Sequence, residues 1–160
     1  MEQLKTTYYK TPIGTAKIEG NTDGITSITV LDKTIEACTT IPTCLQDCVL
    51  QLDEYFNKKR LNFNLKLNPQ GTEFQQKVWK ELQNVAFGKT SSYLEQTKAM
   101  GNVKAIRAVA AANGKNPIWI VIPCHRIIGS DGSLTGYAGG LWRKKWLLEH
   151  ENPSTQQSLF

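Results

Sequence analysis

The sequence is poor in the residues that bind transition metals. It contains only two histidines, His125 and His150, and four cysteines in 160 residues. Cys38, Cys44 and Cys48 lie far from either histidine along the chain, and their spacing fits no common zinc signature. Without any sign of a secretory context, these three cysteines are expected to be packed free thiols rather than disulfides. The sequence therefore predicts a protein without a metal site.

Long apolar runs are also missing. No stretch is long and apolar enough to span a membrane, and the first residues lack the apolar core of a signal peptide. These two absences predict a soluble, intracellular protein with no membrane partner. The chain is still long enough to bury a core without disulfides, as one domain or two small ones.

Negative charge is scarce in the second half of the chain. Residues 1–70 carry eight basic and eight acidic side chains, whereas residues 71–160 carry eleven basic and six acidic ones. The whole net charge of +5 therefore lies in the second half. Such a bias favours a polyanionic partner, most simply nucleic acid. A basic surface that serves only solubility is the alternative.

The first 70 residues have the pattern of a small αβ domain. Alternating apolar residues predict a β-hairpin over residues 8–31. A helix is predicted over residues 43–58, with Thr43 and Gln46 as a capping box, and another strand near residues 63–67. The polar segment 68–71 is the best linker, so we place a domain boundary after residue 70. This domain shows no catalytic constellation and is expected to give structural support.

Residues 71–160 are predicted to form a mostly helical domain, which makes the fold class α+β. Thr72 and Gln75 form a capping box for a helix that ends near residue 85. Two short helices follow, separated by Gly101 and Asn102, and this arrangement is typical of a helix-turn-helix. A glycine-rich loop over residues 134–140 precedes a last helix over residues 141–150.

The second helix of the helix-turn-helix is rich in alanine. It covers residues 103–112, and Lys104 and Arg107 are its only charged residues. A thin helix with few hydrogen-bonding side chains suits close approach to a DNA backbone or to the minor groove, and it is poorly equipped to read bases. The alternative is that the alanines allow tight helix packing inside a core.

Cys124 lies in a setting that is typical of a reactive thiol. The apolar run 118–122 predicts a buried strand, which Pro123 would end because proline cannot donate to a strand ladder. Cys124 would then lie at the end of the strand with His125 beside it. A neighbouring imidazole favours the nucleophilic thiolate. Alternatively, Cys124 is a small buried hydrophobic residue.

The sequence around Cys124 resembles a known active-site motif. Pro123-Cys124-His125-Arg126, with Asn116-Pro117 before it, is similar to the motif of bacterial O6-alkylguanine-DNA alkyltransferases, also called methylated-DNA–protein-cysteine methyltransferases. The resemblance covers residues 74–151, while residues 1–70 match only in general layout and would be ribonuclease-H-like. Further matches, in chain order, are Phe87-Gly88, Ser92-Tyr93, Ala105-Ile106-Arg107-Ala108-Val109, Gly136-Tyr137-Ala138-Gly139-Gly140 and Trp146-Leu147-Leu148-Glu149-His150-Glu151.

The resemblance implies a catalytic role for five residues. Cys124 would accept the alkyl group, and His125 would take the thiol proton through a water molecule. Glu151 would orient His125, which completes a Cys–His–Glu relay. Asn116 would act as the hinge that ties the strand and turn to the helix-turn-helix. Tyr93 would help to swing out the target base and hold it.

Other residues would bind the substrate or DNA by the same resemblance. Arg107 would fill the gap that the extruded base leaves in the stack, and Tyr137 would form a wall of the guanine pocket. The carbonyl groups of Cys124 and Ile127 would accept hydrogen bonds from the guanine amino group. The full set assigned to substrate and DNA is Arg107, Tyr137, Ala138, Ile127, Ala105, Ala108 and Arg126.

Ala138 departs from the pattern of some family members, which carry serine at this position. A side-chain hydroxyl that would bond the guanine oxygen is therefore absent, although the backbone amide of Ala138 is still present. We expect activity to survive and the preference among alkyl adducts to differ. Trp119, which is close to Cys124 in sequence, is a second candidate for restricting the pocket.

The expected function is DNA repair by stoichiometric transfer of an alkyl group from O6-alkylguanine, and from O4-alkylthymine, in double-stranded DNA to Cys124. The target nucleotide must first be extruded from the duplex. The resemblance implies no cofactor and no metal, and we expect a cytoplasmic, nucleoid-associated monomer. One alternative is a non-catalytic sensor of alkylated DNA, which would lack the cysteine. Others are a Cys–His–Glu thiol hydrolase and a transcription regulator.

Overall fold

The structure is a computed structural model that describes residues 2–36 and 40–153, and it divides into two compact units. The first unit is Met1–Gln70 with Pro117–Trp119, and the second is Gly71–Asn116 with Ile120–Phe160. Cys38 lies outside the described residues. None of the helices in the described ranges has the length and apolarity needed to cross a membrane.

The first unit contains a three-stranded antiparallel sheet. Strands β1 (Lys5–Thr11), β2 (Gly14–Asn21) and β3 (Gly24–Leu31) lie in the order β1-β2-β3. The predicted hairpin is confirmed in β2 and β3, and β1, which begins at Lys5, adds a third strand to it. Ala16 and Ile18 are fully buried on one face of β2, as their alternation with charged residues predicts.

Helix α1 (Thr43–Phe56) packs against this sheet. The predicted capping box at its start is wrong, because Pro42 occupies the N-cap position and the Gln46 side chain donates to the carbonyl of Ile41 instead. Cys48 is buried on the inner face of α1, and Cys44 is half-buried. Both are free cysteines, as the sequence predicted.

The strand predicted near residues 63–67 is reduced to a single bridge between Leu67 and Ile25. Ile25 donates to the carbonyl of Lys66 and accepts from the amide of Asn68. Farther along the same strand, Ile28 pairs in the same way with Pro117 and Trp119. Two short segments of the first unit thus form backbone hydrogen bonds with β3, and neither pairs with it over enough residues to form a strand.

The strand predicted over residues 118–122 is wrong in conformation but right in burial. Only Ile118 forms a bridge, to Ile28. Ile120 has a φ of +70°, in the left-handed region, and the chain turns there instead of continuing as a strand. The five side chains of residues 118–122 are nevertheless buried. The apolar run therefore predicts the burial of these residues correctly, but it does not predict the path of the backbone.

The second unit has four helices among its described residues: α2 (Glu73–Leu82), α3 (Tyr93–Ala99), α4 (Ile106–Gly114) and α5 (Leu141–Glu151). The capping box of Thr72 and Gln75 is confirmed, with both reciprocal hydrogen bonds present. The predicted pair of short helices is confirmed in α3 and α4, with a 3₁₀ turn over Val103–Ala105 at the start of the second. The α+β class is therefore confirmed.

Three internal contacts position the helix-turn-helix in the second unit, and one of them joins it to the segment that follows Cys124. Strands β4 (Ser91–Ser92) and β5 (Ile127–Ile128) pair in parallel, so the start of α3 is joined to the residues that follow the cysteine. The buried side chains of Gln96 and Asn113 exchange two hydrogen bonds of 2.8 Å between α3 and α4. The indole of Trp79 donates to the carbonyl of Ala112 and ties α2 to α4.

Candidate active site

Cys124 begins a 3₁₀ turn, Cys124–Arg126, which runs directly into β5. The side chain of Cys124 is half-buried and faces a cavity of about 670 Å³ within the second unit. The cavity is lined by Tyr93, Ile106, Arg107, Ala110, Asn113, Gly114, Cys124, Thr135, Gly136, Tyr137 and Ala138. A thiol that opens on a concave, largely apolar pocket is a candidate nucleophile rather than a packed core residue.

The side chain of Asn116 connects the backbone that precedes Cys124 to the Cys124 thiol. Its side-chain amide donates to the carbonyl of Ile122 at 2.7 Å and to the sulfur of Cys124 at 3.3 Å. Burial raises the pKa of the Cys124 thiol, while the hydrogen bond from Asn116 and the charge of Lys144 oppose this rise. The resting thiol is therefore protonated at neutral pH, and its attack requires a base.

His125 and Glu151 form a buried pair next to the thiol. The His125 Nε2 atom lies 2.6 Å from the Glu151 Oε2 atom, and both side chains are almost completely shielded from solvent. The other ring nitrogen of His125, Nδ1, is buried and has no hydrogen-bond partner among the described residues. The carboxylate fixes the ring through one nitrogen and leaves the second for proton exchange.

Burial and charge set the protonation of this pair. Burial lowers the pKa of His125, although the Glu151 carboxylate opposes the change. Burial alone would raise the pKa of Glu151, but the hydrogen bonds from His125 and Arg126 and the charge of Arg126 outweigh it, and the pKa falls below its usual range. The pair thus consists of a charged carboxylate and a neutral imidazole, the form that accepts a proton.

Arg126 is a buried partner of Glu151, and the structure gives no support to the DNA-binding role assigned to it from the sequence. Its Nε and Nη2 atoms donate to the two carboxylate oxygens of Glu151 at 2.7 and 3.1 Å. Its Nη1 atom donates to the carbonyl of Val85 at 2.7 Å. The side chain is buried, so its guanidinium is already occupied inside the protein.

The glycine-rich loop forms one side of the cavity. Thr135, Tyr137 and Ala138 all line it, as the resemblance implied for Tyr137 and Ala138. The Tyr93 hydroxyl lies within hydrogen-bond distance of both the carbonyl (3.4 Å) and the hydroxyl (3.3 Å) of Thr135. Lys144 donates to the same Thr135 carbonyl at 2.7 Å. Thr135 thereby ties the loop to both α3 and α5.

Helix α4 exposes most of its alanine-rich surface. Arg107 and Ala108 are exposed and Ala105 is half-buried, whereas only Val109, Ala112 and Asn113 are buried on this helix. The exposed surface favours approach to an external partner over tight packing in a core. Arg107 also lines the cavity, so it links the outer surface of the helix to the pocket.

Two residues considered from the sequence are not part of the cavity wall. Trp119 belongs to the first unit, where its ring lies 6.4 Å from that of Phe56, and it is not among the residues that line the cavity. The side chain of Ile127 is fully buried in β5, which leaves only its backbone for contact with a substrate.

Thr135 and Lys144 are among the residues of the site that sequence reasoning missed. Both positions look ordinary locally, since one lies in a polar loop and the other in a basic stretch of an amphipathic helix. A lysine with no exposed surface is recognisable only from the fold. In the ranges described, no cluster of three or more histidine, cysteine or acidic side chains could hold a metal ion.

Two family models match the chain in sequence order. The ribonuclease-like domain of 6-O-methylguanine DNA methyltransferase matches residues 4–69, and the DNA-binding domain of the same family matches residues 73–153. Together they cover nearly all of the described structure.

Curated relatives and solved structures agree with these models. The chain is 42% identical to a methylated-DNA–protein-cysteine methyltransferase of Mycolicibacterium paratuberculosis over 92% of each chain. It is 44% identical to one of Methanosarcina barkeri over 89% of this chain and 93% of the relative. The crystal structure of Mycobacterium tuberculosis O6-methylguanine methyltransferase matches with a TM-score of 0.84 at 40% identity over 94% of each chain. A crystal structure of the same organism's protein in complex with DNA matches with a TM-score of 0.83 at 41% identity over 91% of each chain. The chain therefore belongs to the methylated-DNA–protein-cysteine methyltransferase family.

Proposed function

We propose that this protein repairs DNA by transferring an alkyl group from the O6 atom of guanine, or from the O4 atom of thymine, to Cys124. The observation that carries the proposal is the thiol of Cys124, which faces the cavity with an amide donor from Asn116 and has the buried His125–Glu151 pair beside it. The names of the relatives and the complex of one of them with DNA support the same reaction.

The proposed reaction is a single displacement at carbon. A water molecule at Nδ1 of His125 relays the thiol proton to the imidazole, and Glu151 stabilises the resulting positive charge. The sulfur lone pair forms the new S–C bond as the C–O bond breaks, and the electron pair of that bond goes to the base, which then takes up a proton. The product thioether is stable and no group in the site is arranged to hydrolyse it, so each molecule acts once.

Contact with DNA is proposed to run through α4 and the cavity mouth. Extrusion of a nucleotide costs a few kcal/mol, and the exposed guanidinium of Arg107 is placed to fill the space that the base leaves. The small residues Ala105 and Ala108 allow the helix to approach the minor groove closely. Phosphate contacts would supply affinity without sequence preference. Every residue invoked lies in one unit of one chain, which supports action as a monomer.

Intact mass spectrometry tests the proposal directly. After incubation with a duplex that contains one O6-methylguanine, the wild-type mass should rise by one methyl group, mapped to Cys124. The Cys124→Ala variant should show no change, and Cys44→Ala, which removes a thiol that does not line the cavity, should behave as wild type. Unchanged wild-type mass with tight lesion binding would contradict transfer and indicate a sensor. Repeated turnover of a thioester substrate would indicate a hydrolase.

Ala138 is expected to tune the preference among adducts. We expect Ala138→Ser to raise the transfer rate from a benzyl adduct about fivefold relative to a methyl adduct, since one added hydrogen bond contributes about 1 kcal/mol. A bulky adduct fits the pocket less well, so it gains more from a new anchor on the guanine oxygen. Single-turnover rates for both adducts would measure the ratio, with Ala86→Ser as an exposed control. Equal ratios in all three proteins would contradict this role.

A further inference from the structure

The cavity has one wall that regular secondary structure holds in place and one that it does not. Tyr93 lies on the first wall and is the first residue of α3, where Ser92 caps the helix and the hydroxyl of Thr97 donates to the Tyr93 carbonyl at 2.6 Å. Thr135 lies on the second wall, in the part of the glycine-rich loop, residues 134–137, that forms no helix, strand or turn. The position of this second wall therefore depends on the contacts of individual loop residues.

Thr135 joins the loop wall to the helix wall. The hydroxyl oxygen of Tyr93 lies 3.4 Å from the carbonyl oxygen of Thr135 and 3.3 Å from its hydroxyl oxygen. One arrangement of the protons satisfies both contacts, in which the Tyr93 hydroxyl donates to the carbonyl and the Thr135 hydroxyl donates to the Tyr93 oxygen. We call this pair of hydrogen bonds the Tyr93–Thr135 bridge. It connects two side chains that both line the cavity.

Lys144 of α5 holds the loop end of the bridge. Its Nζ atom donates to the Thr135 carbonyl at 2.7 Å, and its side chain is buried. A carbonyl oxygen has two lone pairs, so it can accept from Lys144 and from Tyr93 at the same time. Because a buried ammonium group is unfavourable without hydrogen bonds, Lys144 opposes any movement of this carbonyl away from it. The Tyr93–Thr135 bridge is therefore anchored on both walls of the cavity.

We propose that Thr135 is a specificity-determining residue, whose bridge to Tyr93 limits the width of the cavity and so favours small alkyl adducts. A methyl adduct fits between the walls as they stand, whereas an adduct with an aromatic ring requires the walls to separate and the bridge to break. Breaking the bridge costs the free energy of its hydrogen bonds, and only the larger adduct bears this cost. The inference rests on the proposed function in that the alkylated base enters the cavity that holds Cys124.

The first experiment compares single-turnover transfer from duplexes that contain either O6-methylguanine or O6-benzylguanine. Thr135→Val replaces the hydroxyl with a methyl group at nearly constant volume. We expect the ratio of the benzyl rate to the methyl rate to rise about fivefold, which is the effect of one lost hydrogen bond. Thr135→Ser retains the hydroxyl, and its ratio should stay close to that of wild type.

A matched control is available in the same unit. Thr90→Val makes the same chemical change at an exposed threonine that does not line the cavity, and its ratio should equal that of wild type. Far-ultraviolet circular dichroism of each variant establishes that it is folded. An unchanged ratio in Thr135→Val would overturn the inference. An equal rise in Thr135→Ser would also overturn it, because it would assign the effect to the methyl group of Thr135 and not to its hydroxyl.

A double-mutant cycle tests whether Tyr93 is the partner of Thr135. Tyr93→Phe breaks the bridge without altering Thr135, so it should raise the same ratio, and this result does not depend on how the Thr135 variants fold. Adding Thr135→Val to Tyr93→Phe should leave the ratio where Tyr93→Phe has it, because no bridge is left to break. A further rise of about fivefold in the double variant would show that the two residues act independently, which would overturn the inference.

Thiol reagents measure the width of the cavity without DNA and so separate the inference from the proposed function. Iodoacetamide and N-benzyl-iodoacetamide both alkylate a thiol with loss of iodide, and they differ only by a benzyl group. With peptide mapping of Cys124, Thr135→Val should raise the rate of the larger reagent relative to the smaller about fivefold. If wild type takes no methyl group from DNA but this ratio rises, alkyl transfer is wrong and the role of the bridge stands. If wild type is methylated normally and the ratio does not move, alkyl transfer stands and the inference is wrong.

Discussion

Replacing Glu151→Gln is expected to lower the free energy of unfolding by about 3 kcal/mol, because it leaves the buried guanidinium of Arg126 without its counter-ion. Glutamine has nearly the shape of glutamate, so the loss reports charge and hydrogen bonding rather than a cavity. The same change removes the anion that orients His125, and methyl transfer should slow strongly as well. Urea unfolding would measure the first effect, and single-turnover methyl transfer the second.

Glu149→Gln is the control for this experiment. Glu149 lies on the same helix, is half-buried, and its Oε1 atom has no hydrogen-bond partner among the described residues. Glu149 takes part in none of the hydrogen bonds described above for His125 and Arg126. Its replacement should change the unfolding free energy by no more than about 0.5 kcal/mol. If the two variants are equally stable, the buried Glu151 network does not hold the unit together.

The pH dependence of the free energy of unfolding should reflect the ionisation of Glu151 and His125. The pKa of Glu151 is lower in the folded chain than its ordinary value of 4.5, so its contribution is complete above that value and is lost as the pH falls below it. The pKa of His125 is also lowered from 6.5, so the folded protein already loses stability as the pH falls through that value. Unfolding measured from pH 7 to pH 4 should show both losses in wild type. The Glu151→Gln variant should lack the loss below about pH 4.5.

Asn116→Ala is expected to slow methyl transfer about 100-fold. The amide of Asn116 bonds both the Ile122 carbonyl and the Cys124 sulfur, so its loss frees the turn and displaces the attacking atom. A displacement of about 1 Å is enough for a loss of this size. The variant should also lose about 1 kcal/mol of stability with the hydrogen bond to Ile122. Single-turnover kinetics at saturating duplex would measure the rate.

Asn84→Ala makes the same substitution on the surface of the second unit, where the side chain donates to Glu81. Its transfer rate should stay within about twofold of wild type. The Asn116 role would be contradicted by a transfer rate in Asn116→Ala equal to that of Asn84→Ala. A loss of rate explained wholly by unfolding would have the same meaning, and the circular dichroism of the variant would reveal it.

Local signals explain which elements could be predicted from the sequence. The capping box of Thr72 and Gln75 and the Gly101-Asn102 break depend on neighbours within four residues, and the structure forms both as expected. Thr43 and Gln46 carry the same letters as a capping box, yet Pro42 takes the N-cap position and Gln46 bonds Ile41. The motif indicates which capping hydrogen bonds the side chains of Thr43 and Gln46 could form. Whether they form depends on the conformation of the residues just before the helix.

Long-range pairing explains what the sequence could not predict. The run of residues 118–122 is apolar because it is buried, but the pairing of Ile118 and Trp119 with Ile28 and the positive φ of Ile120 decide its path. Arg126 was assigned to DNA binding from the family resemblance. Its partners, Glu151 and Val85, are 25 and 41 residues away, and no local pattern reveals them.

Helix α4 is at once part of the outer surface and part of the cavity wall, since Arg107 and Ala110 are exposed to solvent and also line the pocket. A larger side chain at Ala110 would narrow the pocket, and it would also protrude from the surface that is proposed to contact DNA. A substitution at this position is therefore expected to change both the acceptance of bulky lesions and the affinity for the duplex. Substitutions on this helix that change the range of accepted adducts would therefore also change the affinity for DNA.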